Sequence, residues 1–178
     1  STDNTLEVIG RYIENNKIKL FKTDLKNKIQ QLNFVLAEIA NEVYVICSDA
    51  DAIIESKSAI RTALEKFSQD SELKLLGAWC LPKTKLNTEL AYWDKQNRLR
   101  HLESQAYSAS IVVGPFYMFR RRDFDFFPAD CIADDVYISF FMHQQGGRIL
   151  YDTDLSVFES RGAGSILGLF FHKFRKAN

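Results

Sequence analysis

The chain has 178 residues, 46% of them hydrophobic and 26% charged, which is the balance of one folded domain with a sizeable core and not of a disordered chain. Lys plus Arg and Asp plus Glu are each 23, and a formal net charge of zero argues against a general polyanion binder, so no nucleic-acid partner is expected. The three cysteines, Cys47, Cys80 and Cys131, are an odd number without C-x-x-C spacing, which argues against a disulfide framework or zinc site and for a reducing, cytoplasmic setting.

No signal peptide is legible at the start, and no apolar run is long enough to span a bilayer. In chain order, residues 5–15 read as a helix and residues 18–21 as a short strand. Asp24 is a candidate cap for the next helix, where Leu25, Ile29, Leu32, Leu36 and Ile39 recur at three- and four-residue steps. The run Val43-Tyr44-Val45-Ile46 predicts a buried strand over residues 42–48. A helix over 56–69, a strand over 73–81 and a long helix over 89–107 follow, then extended stretches at 111–113 and 117–119. Residues 133–145 read as a helix stopped by Gly146-Gly147, with extended segments at 148–151 and 155–158 beyond it. Strands alternating with helices predict an α/β layer fold with a mostly parallel sheet, whose ligands bind beyond the carboxyl ends of the strands.

At such an end, directly after the strand over 42–48, stands Ser48-Asp49-Ala50-Asp51. Two carboxylates one residue apart suit Mg²⁺ or Mn²⁺, which take oxygen ligands and bind one or two carboxylates together with substrate phosphates. A solvated acidic turn that caps the next helix is the plainer alternative. A second pair, Asp134-Asp135, opens the helix over 133–145, where the dipole favours negative charge; simple capping and a general base that deprotonates a hydroxyl both fit there.

Taken together and in order, these segments resemble the family 2 glycosyltransferases and their nucleotide-sugar-binding GT-A fold. Ser1-Thr2-Asp3-Asn4-Thr5 resembles the end of that family's "DDGSTDNT" stretch, and Lys28 with Leu32-Asn33 its "GK..ALN" segment, with Asn27 where Gly is usual. Ser48-Asp49-Ala50-Asp51-Ala52 resembles the DxD element, and Val113-Gly114 with Phe119-Arg120-Arg121 the "G….RR" segment under the acceptor site. Phe127-Pro128 leading to Ala133-Asp134-Asp135 resembles "FP….ED", and residues 146–151 the strand after it. The strand and helix that precede "DDGS" in the family have no counterpart here, so a fold lacking its first strand-helix unit is expected. The "Q..RW" segment of processive members is also missing: Lys173-Phe174-Arg175 stands near its place.

The resemblance implies an inverting transfer of a sugar from a nucleoside diphosphate sugar, most commonly a UDP-sugar, to a hydroxyl of a polysaccharide or lipid-linked glycan. Asp51, helped by Asp49, is expected to hold Mg²⁺ or Mn²⁺, and Asp135 to act as the base, with Asp134 orienting it or binding the acceptor. Asp3 and Lys28 are expected on the donor, Gly114 and Trp93 at the acceptor, although Trp93 equally suits a core position. Arg120, Arg121 and Arg122 suit a phosphate or a lipid headgroup, or salt bridges to Asp123 and Asp125. Residues 1–161 are read as the catalytic domain. Residues 162–178, an apolar and basic segment of that domain, suit either a membrane surface at the inner face or docking on the domain itself. The alternatives are an inactive nucleotide-sugar-binding module of this fold and a sugar-phosphate nucleotidyltransferase.

Overall fold

The computed structural model of the chain describes residues 4–13, 18–160, 168 and 170. Among these the elements run α1 (Thr5–Ile13), α2 (Lys28–Glu38), β1 (Tyr44–Ser48), β2 (Ala52–Ile54), α3 (Ala59–Gln69), β3 (Leu73–Pro82), α4 (Asn87–Ala106), β4 (Phe116–Arg120), α5 (Asp134–Gln144) and β5 (Arg148–Glu159). The α/β expectation holds, with local corrections. Residues 18–21 are irregular, because an extended run becomes a strand only where a neighbour completes its ladder. The second helix is capped by Asn27 in place of Asp24: the Asn27 carboxamide oxygen accepts from the Ile29 amide at 2.7 Å. The two extended segments near the end form one strand, β5, with a register shift opposite Ala78 and Trp79. Gly146, at a φ of 67°, ends α5 as its position after the apolar run demands.

The five strands stand in the order β1-β4-β3-β5-β2. The expectation of a mostly parallel sheet is corrected here: only the long β3–β5 pair is parallel, whereas β1–β4, β3–β4 and β2–β5 are antiparallel. The reason lies in residues 107–115. Helix α4 brings the chain back to the start of β5, where Ser108 Oγ accepts from the Ile149 amide and the Ala109 amide donates to the Ile149 carbonyl. The segment then crosses the sheet again, with Ala109, Val112 and Val113 buried, so β4 enters from the opposite end. Val112 lies so close to β3 that a Cβ on Gly77 would stand 2.8 Å from its Cγ1.

The sheet is covered on both faces, which is why all five residues of β4 are buried. Phe116 and Met118 pack with Ala59, Ala63 and Phe67 of α3, while Tyr117 and Phe119 pack with Ile29 and Leu36 of α2 and Ile138 and Met142 of α5. The period of two along β4 sorts these residues between the layers. Arg120, at the end of β4, and Arg121 after it are structural. Arg120 donates to the carbonyls of Phe67, Leu73 and Asp70, and Arg121 to those of Phe124 and Leu36. Both are buried, so neither is available to a phosphate or a headgroup.

Residues 162–178 lie outside the described residues except for Gly168 and Phe170, as does Asp3. No helix among the described residues is long and apolar enough to cross a membrane.

Candidate active site

A cavity of about 210 Å³ opens at the carboxyl end of β1, between that strand, α2 and the start of α5. It is lined on one side by Leu32, Val35, Leu36 and Ile39 of α2, and at its polar end by Lys28, Cys47, Asp49, Gly114 and Asp134. The position follows from the fold: β1 delivers Asp49 at its end, α5 delivers Asp134 and Asp135 at its N-terminus, and the turn before β4 places Gly114 between them.

Gly114 separates the two acidic segments. A Cβ built on it would lie 3.6 Å from Asp135 Oδ2 and 3.9 Å from Asp49 Oδ2, so both carboxylates face the same small gap. Burial and the neighbouring Asp134 carboxylate push the Asp135 carboxyl above its ordinary 3.8, against the pull of the Val136 and Gly114 amides and of Lys28. A carboxyl raised this way is a stronger base than an ordinary exposed carboxylate. Asp134 is buried and both its oxygens are engaged: Oδ1 accepts from Lys28 Nζ at 2.8 Å and Oδ2 from the Tyr117 hydroxyl at 2.7 Å. Lys28 Nζ also stands 3.8 Å from Asp49 Oδ1. Burial works against the Lys28 charge, but the bond to Asp134 and the carboxylates of Asp134, Asp49 and Asp135 outweigh it and raise its pKa above 10.5.

Five of the residues singled out from sequence, Lys28, Asp49, Gly114, Asp134 and Asp135, are thus brought together. Asp51 sits on the turn after Asp49, its carbonyl accepting from the Ser160 amide, and does not line the cavity. Trp93 is half-buried against the larger core cluster and edge-on to Tyr92, away from the cavity.

Two participants were not foreseen. Tyr117 is wholly buried beneath Asp134, with Cys47 as its register partner on β1. Burial drives the Tyr117 hydroxyl far above its usual range and the Cys47 thiol up to about 11, so both keep their protons, and the Tyr117 hydroxyl donates its own to Asp134. Period-two alternation through Tyr117 and Phe119 puts the tyrosine on the α2–α5 side, but only the pairing with β1 sets its hydroxyl under the site. Asn33 explains a link that sequence order left unexplained: its side chain both donates to the Phe127 carbonyl and accepts from the Phe127 amide, each at 2.8 Å, tying α2 to the segment that leads into Asp134.

Among the described residues no group of three or more His, Cys, Asp or Glu side chains could hold a metal by itself. The half-exposed Asp49 carboxylate, with Asp51 two residues on, is a donor set for a hard cation that shares its shell with substrate phosphates, not for an all-protein cage.

Comparisons with known proteins bear on the fold and the family. The chain is 26% identical over 161 residues to a poly-beta-1,6-N-acetyl-D-glucosamine synthase of Staphylococcus aureus, a match over 85% of this chain that spans 39% of the relative's length. Its fold superposes with a TM-score of 0.75 on the mannosyltransferase PcManGT from Pyrobaculum calidifontis, solved with GDP-Man and Mn²⁺, at 21% identity over 98% of this chain and 49% of that one. GalNAc-T7, solved with UDP, GalNAc and Mn²⁺, superposes at 0.63 with 14% identity over 92% of this chain and 36% of that one. The profile of glycosyl transferase family 2 matches residues 1–127, so the chain belongs to that family.

Proposed function

We propose that this domain moves a sugar, with inversion, from a nucleoside diphosphate sugar, by our reading a UDP-sugar, to a hydroxyl of a polysaccharide or lipid-linked glycan. The observation that supports it most directly is the pair of carboxylates, Asp49 and Asp135, facing one gap across a residue without a side chain. Asp135 takes the proton of the acceptor hydroxyl. The freed oxygen bonds to the anomeric carbon on the face opposite the diphosphate, and the old carbon–oxygen bond breaks with its electron pair leaving on the diphosphate. Asp49, with Asp51 on the same turn, would hold Mg²⁺ or Mn²⁺, which supplies Lewis-acid neutralisation of the leaving charge when bound. The Lys28 ammonium adds a fixed positive charge on the same side. Asp134 has both oxygens engaged by protein groups and so orients its neighbours in preference to binding the acceptor. The likeness to the poly-beta-1,6-N-acetyl-D-glucosamine synthase supports a glycan acceptor.

Calorimetric titration of the intact protein with UDP and GDP, with and without Mn²⁺, tests this reading. Metal-dependent binding that disappears in Asp49→Ala is the expected result. Binding that is equally strong without metal, or unchanged in that variant, sinks the metal assignment, and no binding of any nucleoside diphosphate sinks the donor class.

A further inference from the structure

Tyr117 occupies the middle of β4 with no exposed surface, its ring stacked on Phe119 at 6.3 Å between centroids. Its hydroxyl is the buried end of a chain of polar contacts. It donates to Asp134 Oδ2 at 2.7 Å, Asp134 Oδ1 accepts from Lys28 Nζ at 2.8 Å, and Lys28 Nζ stands 3.8 Å from Asp49 Oδ1. Asp49 lies two residues beyond Cys47, the register partner of Tyr117 on β1. These contacts and the β1–β4 pairing together close a ring through β1, β4, α5 and α2. Lys28, Cys47, Asp49 and Asp134 of that ring all line the cavity described above.

A lysine on the first turn of a helix, more than half exposed, ordinarily samples many rotamers, and fixing it costs side-chain entropy. Lys28 is fixed because Asp134 is fixed, and Asp134 is fixed because a buried phenol holds its far oxygen. A buried carboxylate oxygen left without that donor would carry an uncompensated desolvation cost and turn in search of another partner.

From this ring we infer that Tyr117 is a positioning residue for the donor: by clamping Asp134 it holds the Lys28 ammonium beside Asp49, where the diphosphate of a nucleotide sugar is received. The inference rests on the glycosyltransferase reading above. Tyr117 touches neither substrate nor reacting atoms in this scheme. It preorganises a cation before the ligand arrives, which lowers the ordering cost of binding.

The test is a double-mutant cycle in the intact protein. Tyr117→Phe keeps the stacked ring and removes only the hydroxyl, and Lys28→Met keeps the stem and removes only the charge. Affinity for UDP or GDP, whichever the wild type binds, is measured by calorimetry in Mn²⁺, with thermal midpoints recorded beside it. Each single variant is expected to bind about tenfold more weakly, as for one lost hydrogen bond to a charged group. The double variant is expected to be no weaker than the worse single one, since both changes cut the same chain. A Tyr117→Phe variant that melts earlier but binds within about twofold of wild type confines the hydroxyl to folding and overturns the inference; so do losses that simply multiply, to about a hundredfold. If Tyr117→Phe does not fold, Asp134→Asn takes its place in the cycle and is judged by the same non-additivity. A wild type that binds neither nucleotide defeats the functional reading itself. A wild type that binds, with a Tyr117→Phe variant that binds equally well, defeats only the role given to Tyr117.

Discussion

Two glycines on either side of one segment make opposite predictions. Gly114→Ala adds a methyl group 3.6 Å from Asp135 Oδ2 and 3.9 Å from Asp49 Oδ2, ordinary contact distances, at a position without positive φ. Nothing must move, and the variant loses backbone freedom only in the unfolded chain, so stability stays level or rises by about 0.4–1 kcal/mol. Gly77→Ala adds its methyl group 2.8 Å from Val112 Cγ1 and 2.9 Å from Val112 Cβ, inside a packed core where the crossing segment 107–115 lies on β3. Overpacking of this kind costs about 1–3 kcal/mol, or roughly 2–12 °C of melting temperature for a chain of this size. Activity runs the other way. The Gly114 methyl group stands in the gap between the carboxylates of Asp49 and Asp135, to which the proposed function assigns the chemistry, and a displacement of about 1 Å in such a gap lowers the rate on the order of a hundredfold. Gly77→Ala leaves the gap alone, so its folded fraction keeps near-normal turnover. Thermal melts and kcat/KM for both variants in the intact protein give a crossed pattern. A Gly114→Ala protein that is fully active, or one that melts as early as Gly77→Ala, refutes the placement of the reacting atoms at Gly114.

Asp135→Asn should cut kcat by about 10²–10⁴ while leaving nucleotide binding in place, and a calorimetric loss of binding equal to the loss of turnover would count against the general-base role. The same variant has a stability signature. The folded carboxyl has its pKa raised by burial and by Asp134, so its contribution is present below the ordinary 3.8 and is lost as pH rises through the higher folded value. The melting temperature of Asp135→Asn relative to wild type should therefore climb as pH rises above 3.8, and a gap that narrows instead contradicts the burial argument. Arg120→Met removes a buried guanidinium that satisfies three carbonyls, and is expected to cost about 3–5 kcal/mol in urea unfolding; a loss under about 1 kcal/mol would show those carbonyls finding water instead. Asn33→Leu severs both bonds to Phe127 and should cost about 2 kcal/mol by the same measurement, with a larger effect on kcat/KM than on stability if α2 steers the Asp134 segment. Equal stability and activity in that variant would leave the Asn33 bridge without a role.

The local patterns that were legible without coordinates share one property: their cause lies within a few residues. The apolar steps from Ile29 to Leu36, the buried run before Asp49, the acid pair opening α5 and the glycine that ends it each depend on helical period, β-branching, dipole or backbone freedom. Order along the chain then carried the family resemblance, because the segments around Lys28, Asp49, Gly114 and Asp135 follow one another as the family's motifs do. Strand direction was misjudged because it depends on the path of residues 107–115, which packing on Gly77 and hydrogen bonds to β5 decide, and no period in that segment records it. Trp93 was drawn toward the site by residue type, yet the packing of the assembled layers sets it against the core and away from the cavity. Tyr117 was read only as the start of an extended stretch over 117–119. A strand sequence reveals which face a side chain takes, but the β1–β4 register, and the docking of α5 above it, put its hydroxyl within reach of Asp134, and through that acid made a surface lysine part of the site.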